Sequence, residues 1–454
     1  MSFTSLEFIA FMFLVFVLFY ITKGKTRVFV LFIANIVFSL TFVSWNIIVL
    51  LIFALYSFFI SSKIKKDNKS ILFIVLPLII VFIFFKYITY FSNSILTPVG
   101  ISFYTFKIIS YLVDIYNEKI EREESLLVYL TYVIFFPTLV SGPISRFKPF
   151  IDSLSNVTFD YDKSRDGAFL CACGMFEKMV IADYIGLLVS NIYANTLFKG
   201  YYIWLAILLY SLQIYADFDS YSNIAIGCSK ILGIDVGINF KTPYLSSNIK
   251  EFWHKWHISL STWFKDYVYI PLGGNRKGTL RKHINMIIVF ILSGIWHGST
   301  INFFIWGLGH GLLIVFEEYF LQFYNKLNIE GILKKINKII GIIINYLLVS
   351  ILFVFFRTNK FIDAINILRK SLIFEKFDYT ELGLVKREWY YLLIMIVVFI
   401  IVDIFRSRFN MIEKITKRNV VFRWSIYIIM MTIFLIFGMY GSQYNPLDFI
   451  YKHF

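Results

Sequence analysis

The stretch from Ile284 to Phe316 reads INMIIVFILSGIWHGSTINFFIWGLGHGLLIVF and contains no Lys, Arg, Asp or Glu. One helical membrane crossing takes about 20 apolar residues. This run exceeds one crossing, and Gly298-Ser299-Thr300 splits it into two short helices. The pattern recurs on either side. Residues 28–62 are also uncharged and are expected to fold back at Ser44-Trp45-Asn46. Further spans are expected near 71–91, 125–143, 168–190, 201–216, 339–356, 389–402 and 424–440. The stretch 98–114 holds Pro98, Gly100, Lys107 and Asp114 and reads as broken or re-entrant. Such backbone survives at membrane depth only inside protein or beside a water-filled cavity.

Composition agrees. The chain of 454 residues is 58% hydrophobic, 20% aromatic and 16% charged. A soluble domain carries about 25% charged residues and cannot hide this much apolar surface. The fold class is an all-α polytopic membrane protein. The formal net charge of +15 comes from short basic clusters between apolar runs, the positive-inside pattern rather than a nucleic-acid footprint. Membrane lipids and a cytoplasmic anionic substrate are the expected partners. Cys171, Cys173 and Cys228 lack metal or redox spacing and read as small core residues, with no metal site and no disulfide framework.

Charge order sets the expected topology. Phe8–Thr22 is uncharged, and Lys23, Lys25 and Arg27 follow it, which describes a retained first span with its N-terminus outside. Lys63, Lys65, Lys66 and Lys69 mark the cytoplasm, as does the basic segment 241–283. The nearly balanced loop 357–388 suits the outside, and the C-terminus is placed there too. Three parts result: N-terminal hairpins over 1–97, a core over 98–323 that includes segment 241–283, and C-terminal helices over 324–454. Within 241–283, Phe252, Trp253, Trp256, Leu260, Trp263, Phe264 and Tyr267 recur at helical spacing. They predict an amphipathic helix lying in the interface with its aromatic face toward the acyl chains, ended by the turn Pro271-Leu272-Gly273-Gly274-Asn275.

Six histidines are candidate chemical groups: His254, His257, His283, His297, His310 and His453. A titratable group inside a membrane helix is costly and is a functional candidate by default. His297 is the foremost, because a helix starting beside His283 carries it about 21 Å inward. A hydrogen bond to a neighbouring helix is the competing explanation, and spacing alone does not exclude it. HExxH, GxxxxGK[ST] and GxSxG are absent from the sequence, which removes support for zinc protease, P-loop and serine hydrolase chemistry.

Ser247-Asn248-Ile249-Lys250-Glu251-Phe252-Trp253-His254-Lys255-Trp256-His257-Ile258-Ser259-Leu260-Ser261 is followed by Trp263-Phe264-Lys265-Asp266-Tyr267 and Tyr269-Ile270-Pro271-Leu272-Gly273-Gly274-Asn275-Arg276. With Phe103-Tyr104-Thr105-Phe106, Ser141-Gly142-Pro143, Asn239-Phe240, Trp296-His297-Gly298, Trp306-Gly307 and His310-Gly311, this ordered set resembles the membrane-bound O-acyltransferases. The likeness covers roughly 98–311 and leans to the alginate and peptidoglycan O-acetylation branch. Asp217-Phe218-Asp219 departs from the usual Ser-Gly, and His254-Lys255 from a common Arg pair.

The resemblance implies a bundle of roughly 10–12 transmembrane helices, with re-entrant and interfacial helices around a central tunnel. It implies that His297 is the essential histidine and His257 its upstream partner. An imidazole, with an ordinary pKa of about 6.5, suits a general base for a hydroxyl attacking a thioester. The implied donor is acetyl-coenzyme A as co-substrate, with no bound cofactor. Lys250, Lys265, Arg276 and Lys277, with Trp256 and Trp296, are the expected binding residues. The acetyl group would cross a bacterial cytoplasmic membrane to a polysaccharide of the envelope, through an SGNH-type transferase or a small relay protein. The alternatives are D-alanyl transfer to teichoic acid and a polysaccharide exporter without covalent chemistry.

Overall fold

A computed structural model describes residues 1–42, 46–65, 70–91, 97–325, 330–409, 411–439 and 449–450. The turn expected at Ser44-Trp45 lies outside them, as do Lys66, Lys69, Tyr451 and His453. All regular structure among the described residues is helical. The first part runs α1 Leu6–Ile21, α2 Gly24–Ser39, α3 Asn46–Ser61 and α4 Ser70–Phe91. The middle holds α5 Ile101–Tyr116, α6 Leu126–Val133, α7 Phe147–Ser155, α8 Tyr161–Phe176, α9 Asp183–Ala194 and α10 Tyr201–Ile231. Next come α11 Ile249–Lys255, α12 Ile258–Phe264, α13 Thr279–His297 and α14 Ile301–Asn325. The chain continues with α15 Gly331–Arg357, α16 Phe361–Lys370, α17 Lys386–Phe409, α18 Met411–Thr416 and α19 Val420–Phe437.

Local chemistry explains several starts. Ser5, Ser125, Asp160, Asn248 and Asn419 each accept a backbone N–H of the first turn that follows them. Five described helices are long and apolar enough to cross a membrane: Ser70–Ile88, Ile301–Tyr324, Gly331–Arg357, Lys386–Arg406 and Val420–Phe437. Leu6–Ile21, Ile47–Ser61 and Leu126–Thr138 are apolar but shorter. The last long helix buries none of its residues, although it is rich in Ile, Met and Phe. Such a surface is stable against lipid and not against water.

The structure corrects several boundaries. The stretch 98–114 is not broken: Gly100, with φ of 77°, turns the chain, and an unbroken, largely buried α5 follows. The segment 125–143 is not one crossing: α6 ends at Val133, and a 3-10 turn Phe136–Thr138 follows within the protein. The span near 201–216 continues to Ile231, so α10 is about 46 Å long and carries Asp217 and Asp219 in its middle. A π-turn, Glu177–Ala182, joins α8 to α9 and packs on α10. The split at Gly298-Ser299-Thr300 falls where expected, but α13 and α14 have 19 and 25 residues and are not short.

The amphipathic helix of 241–283 needs the largest correction. It is two short helices, α11 and α12, broken at His257. Its aromatic face meets protein rather than acyl chains: Phe252, Trp253, Trp256, Trp263 and Phe264 are all buried. Trp263 stacks on Phe106 of α5 at 3.8 Å, and its indole N–H donates to the Phe106 carbonyl. A periodic apolar stripe demands a cover, and here α5, α10, α13 and α14 supply it.

Candidate functional site

His297 is the last residue of α13 and is 2% exposed. It reaches this depth because α13 and α14 touch backbone to backbone. A methyl group on Gly294 would lie 2.2 Å from the Phe303 carbonyl oxygen, and one on Gly307 2.2 Å from that of Phe290. The His297 ring is enclosed edge-on by Trp296 at 4.8 Å, Trp306 at 5.0 Å and Phe356 at 5.2 Å.

His257 sits between α11 and α12 with φ 43° and ψ 53°, the left-handed region that a non-glycine residue seldom adopts. Its neighbours hold it there. The Asn239 carbonyl accepts the Ile258 N–H at 2.8 Å. The Asn239 side chain accepts the Ser259 hydroxyl at 2.6 Å and donates to Ser222 of α10 at 2.9 Å. Ser259 in turn accepts the Ile144 N–H at 3.0 Å. Asn239 is fully buried, and its carbonyl and both ends of its side-chain amide are used within the protein. The His257 ring meets Phe218 edge-on at 4.7 Å, Phe103 at 6.4 Å and Trp296 at 6.1 Å. Trp296 therefore touches both histidines, and the structure brings His257 and His297 into one aromatic layer.

A cavity of about 380 Å³ opens beside this layer. Lys250, His254, Lys265 and Lys282 contribute to its wall, with Trp253, Phe264, Val289, Phe290, Ser293 and Ile314 supplying apolar surface. Ser293 lies four residues before His297 on α13, hence on the same face and about 6 Å along the axis. The cavity thus joins basic groups to the approach of His297.

The remaining expected residues divide. Lys250 and Lys265 line the cavity. Trp296 is in the histidine layer, and Trp256 forms a wall behind it, stacked on Phe252 at 5.3 Å and facing Phe353. Arg276 and Lys277 are exposed in the turn after Ile270 and do not line the cavity, although the adjacent Asn275 does. Lys255 is paired with Glu251 at 2.7 Å. Partial burial pushes the Glu251 carboxyl up, and hydrogen bonds from Lys255 and Ser247 outweigh it and hold the group below its ordinary value. Asn239, Phe218 and Lys282 escaped the sequence reading as site residues, and His310 entered it only as one of six candidate histidines, without a role. Their sequence distance from His257 and His297 hides the contact. Among the described residues, no cluster of three or more His, Cys, Asp or Glu could hold a metal.

Residues 116–356, more than half of the chain, match the family described as MBOAT, membrane-bound O-acyltransferase family. A Pseudomonas putida protein carrying the name alginate O-acetylase is 40% identical over 226 residues, 50% of this chain and 47% of the relative. A Helicobacter pylori peptidoglycan O-acetyltransferase is 30% identical over 361 residues, 69% of this chain and 68% of the relative. A Streptococcus thermophilus teichoic acid D-alanyltransferase is 30% identical over 311 residues, 64% of this chain and 72% of the relative. The chain spans about half the length of the alginate O-acetylases it matches. The matched segment contains His257, His297 and the cavity, and the chain belongs to the membrane-bound O-acyltransferase family.

Proposed function

We propose that the protein moves an acetyl group from cytoplasmic acetyl-coenzyme A across a bacterial cytoplasmic membrane, for O-acetylation of an extracellular or cell-wall polysaccharide. One observation carries the reading: a cavity with lysines in its wall reaches within one helical turn of a buried histidine. Coenzyme A is an anionic thioester carrier, and lysines suit its phosphates as point charges. Lys250, Lys265 and Lys282 take that part, with Arg276 and Lys277 at most outlying contacts.

In this mechanism the acceptor hydroxyl loses its proton to the His297 imidazole as its oxygen attacks the thioester carbon. The tetrahedral centre collapses, the carbon–sulfur bond breaks, and the thiolate leaves and takes up a proton. His257, fixed on the other side of Trp296, stabilises charge that develops on the carbonyl oxygen. The aromatic layer excludes water and so limits hydrolysis of the thioester. An SGNH-type transferase or a small relay protein completes delivery on the far side.

The test uses inverted membrane vesicles from bacteria producing the full chain, supplied with radiolabelled acetyl-coenzyme A. Label should enter the polysaccharide fraction with the native chain and stay out with His297→Ala. Equal labelling in both would sink the mechanism. D-alanyl transfer from a carrier protein is a second reading, favoured by the likeness to a teichoic acid D-alanyltransferase. Labelled D-alanine, in place of acetyl, then becomes the incorporated group.

A further inference from the structure

His310 lies on α14, fully buried, between the cavity and the histidine layer. The indole N–H of Trp253 donates to its Nδ1 at 3.3 Å. An indole nitrogen can only donate, so Nδ1 is the acceptor and the proton of the neutral ring sits on Nε2. That Nε2 has no hydrogen-bond acceptor among the described residues. Buried polar groups in folded proteins nearly always have a partner, and an exception calls for an explanation.

Position supplies one. Trp306, His310 and Ile314 are spaced four apart and share one face of α14. Trp306 packs against His297 at 5.0 Å and against His310 at 4.9 Å. Ile314 lines the cavity, as do Trp253 and Phe290, which meet the His310 ring at 5.0 and 6.3 Å. A ligand passing from the cavity toward His297 therefore runs along the side of α14 that carries a ready N–H donor. One indole ring separates that donor from His297, so it serves the stem of the ligand rather than the reacting carbon.

Resting on the acyltransferase reading, we infer that His310 is a substrate-binding residue whose Nε2–H donates to an amide carbonyl of a pantetheine thioester arm. The arm is common to coenzyme A and to acyl-carrier proteins, and the assignment concerns the arm. No bond is made or broken at His310.

The test exploits two isosteres. Asn at 310 offers an acceptor near the Nδ1 position and no donor at the Nε2 position, whereas Gln can place an N–H there. Thiol release by the full chain is measured in inverted membrane vesicles that carry the polysaccharide acceptor, over vesicles lacking the chain, with acetyl-coenzyme A, with S-acetylpantetheine and with amide-free S-ethyl thioacetate. His310→Asn should raise KM for both amide-bearing thioesters about tenfold with kcat nearly kept, since the contact is equal in ground and transition states. His310→Gln should restore most of the KM. Both variants should turn over S-ethyl thioacetate as the native chain does, which also reports their folding. Equal KM for Asn, Gln and native chains overturns the assignment, as does an Asn defect of the same size on the amide-free thioester. If the native chain releases no thiol from acetyl-coenzyme A but does so from an acetylated carrier protein, the donor reading changes and the arm assignment stands. Release from neither overturns both.

Discussion

Two buried polar regions flank the middle of α10, and they are built on opposite terms. On one side Lys178 pairs with Asp217 at 2.7 Å and with Asp183 at 2.8 Å. Arg406 pairs with Glu177 and Asp403 at 3.1 Å each and also with Asp219, while Asn223 donates to Glu177 at 2.7 Å. Every one of these charges is answered by protein. On the other side Phe218, the residue between Asp217 and Asp219, leans on His257. There His257 and His297 lie among tryptophans, and the Trp296, Trp306 and His310 ring N–H groups lack an acceptor among the described residues. Polar groups that complete one another hold helices together. Polar groups left with spare capacity are available to a ligand. One stretch of α10 serves both: its carboxylates fix the rotation of the helix, and that rotation seats Phe218 against His257.

The contrast can be broken by experiment. The largest effect belongs to His297→Ala, which should cut acetyl transfer about a thousandfold, near 4 kcal/mol of barrier, with the elution profile and melting unchanged. Arg406→Met should act first on stability. Removing the cation strands three buried carboxylates, at a cost of about 3–5 kcal/mol, read as a lowered melting temperature in detergent. If Arg406→Met melts like the native chain, the charged side is not the structural one.

Asn239→Ala sharpens the division within the histidine side. It frees His257 from a left-handed conformation worth about 1–3 kcal/mol of strain. The expected loss is roughly ten- to hundredfold in kcat, with donor KM unchanged. In a His257→Ala background the same substitution should cost nothing further, because its effect passes through that ring. An additive loss in the double variant would make Asn239 a scaffold residue only. The smallest effects belong to the cavity wall. Lys250→Gln and Lys265→Gln should each raise donor KM about three- to tenfold, less at high salt, because exposed charges are screened over about 8–10 Å. Arg276→Gln and Lys277→Gln should change it little, since neither lines the cavity.

Local pattern carried much of this. Uncharged runs give the helices, and Gly298-Ser299-Thr300 gives the break between α13 and α14. The stripe Phe252, Trp253, Trp256, Trp263 and Phe264 was legible as an apolar face. Periodicity does not say what covers such a face, and lipid was expected where α5, α10, α13 and α14 stand. His297 stood out through its depth in an uncharged run, and His257 through the family resemblance. Asn239 and His310 work through contacts with residues far along the chain, Asn239 with Ser222 and Ser259, His310 with Trp253. The pairing of Glu177 and Asp219 with Arg406 bridges α17 to the middle of the chain, and no local motif encodes it.

The glycine contact between α13 and α14 has a mechanical consequence. With Gly294 and Gly307 facing one another, no side chain remains there to flex, and sliding either helix would drive a Cα into a carbonyl. The two helices behave as one beam, carrying His297 and His310 at a fixed spacing. Room for a bulky guest must then come from the opposite wall, where α11 and α12 meet at His257 and the backbone is already bent. The gauge of the passage is set by a rigid rail on one side and a jointed one on the other.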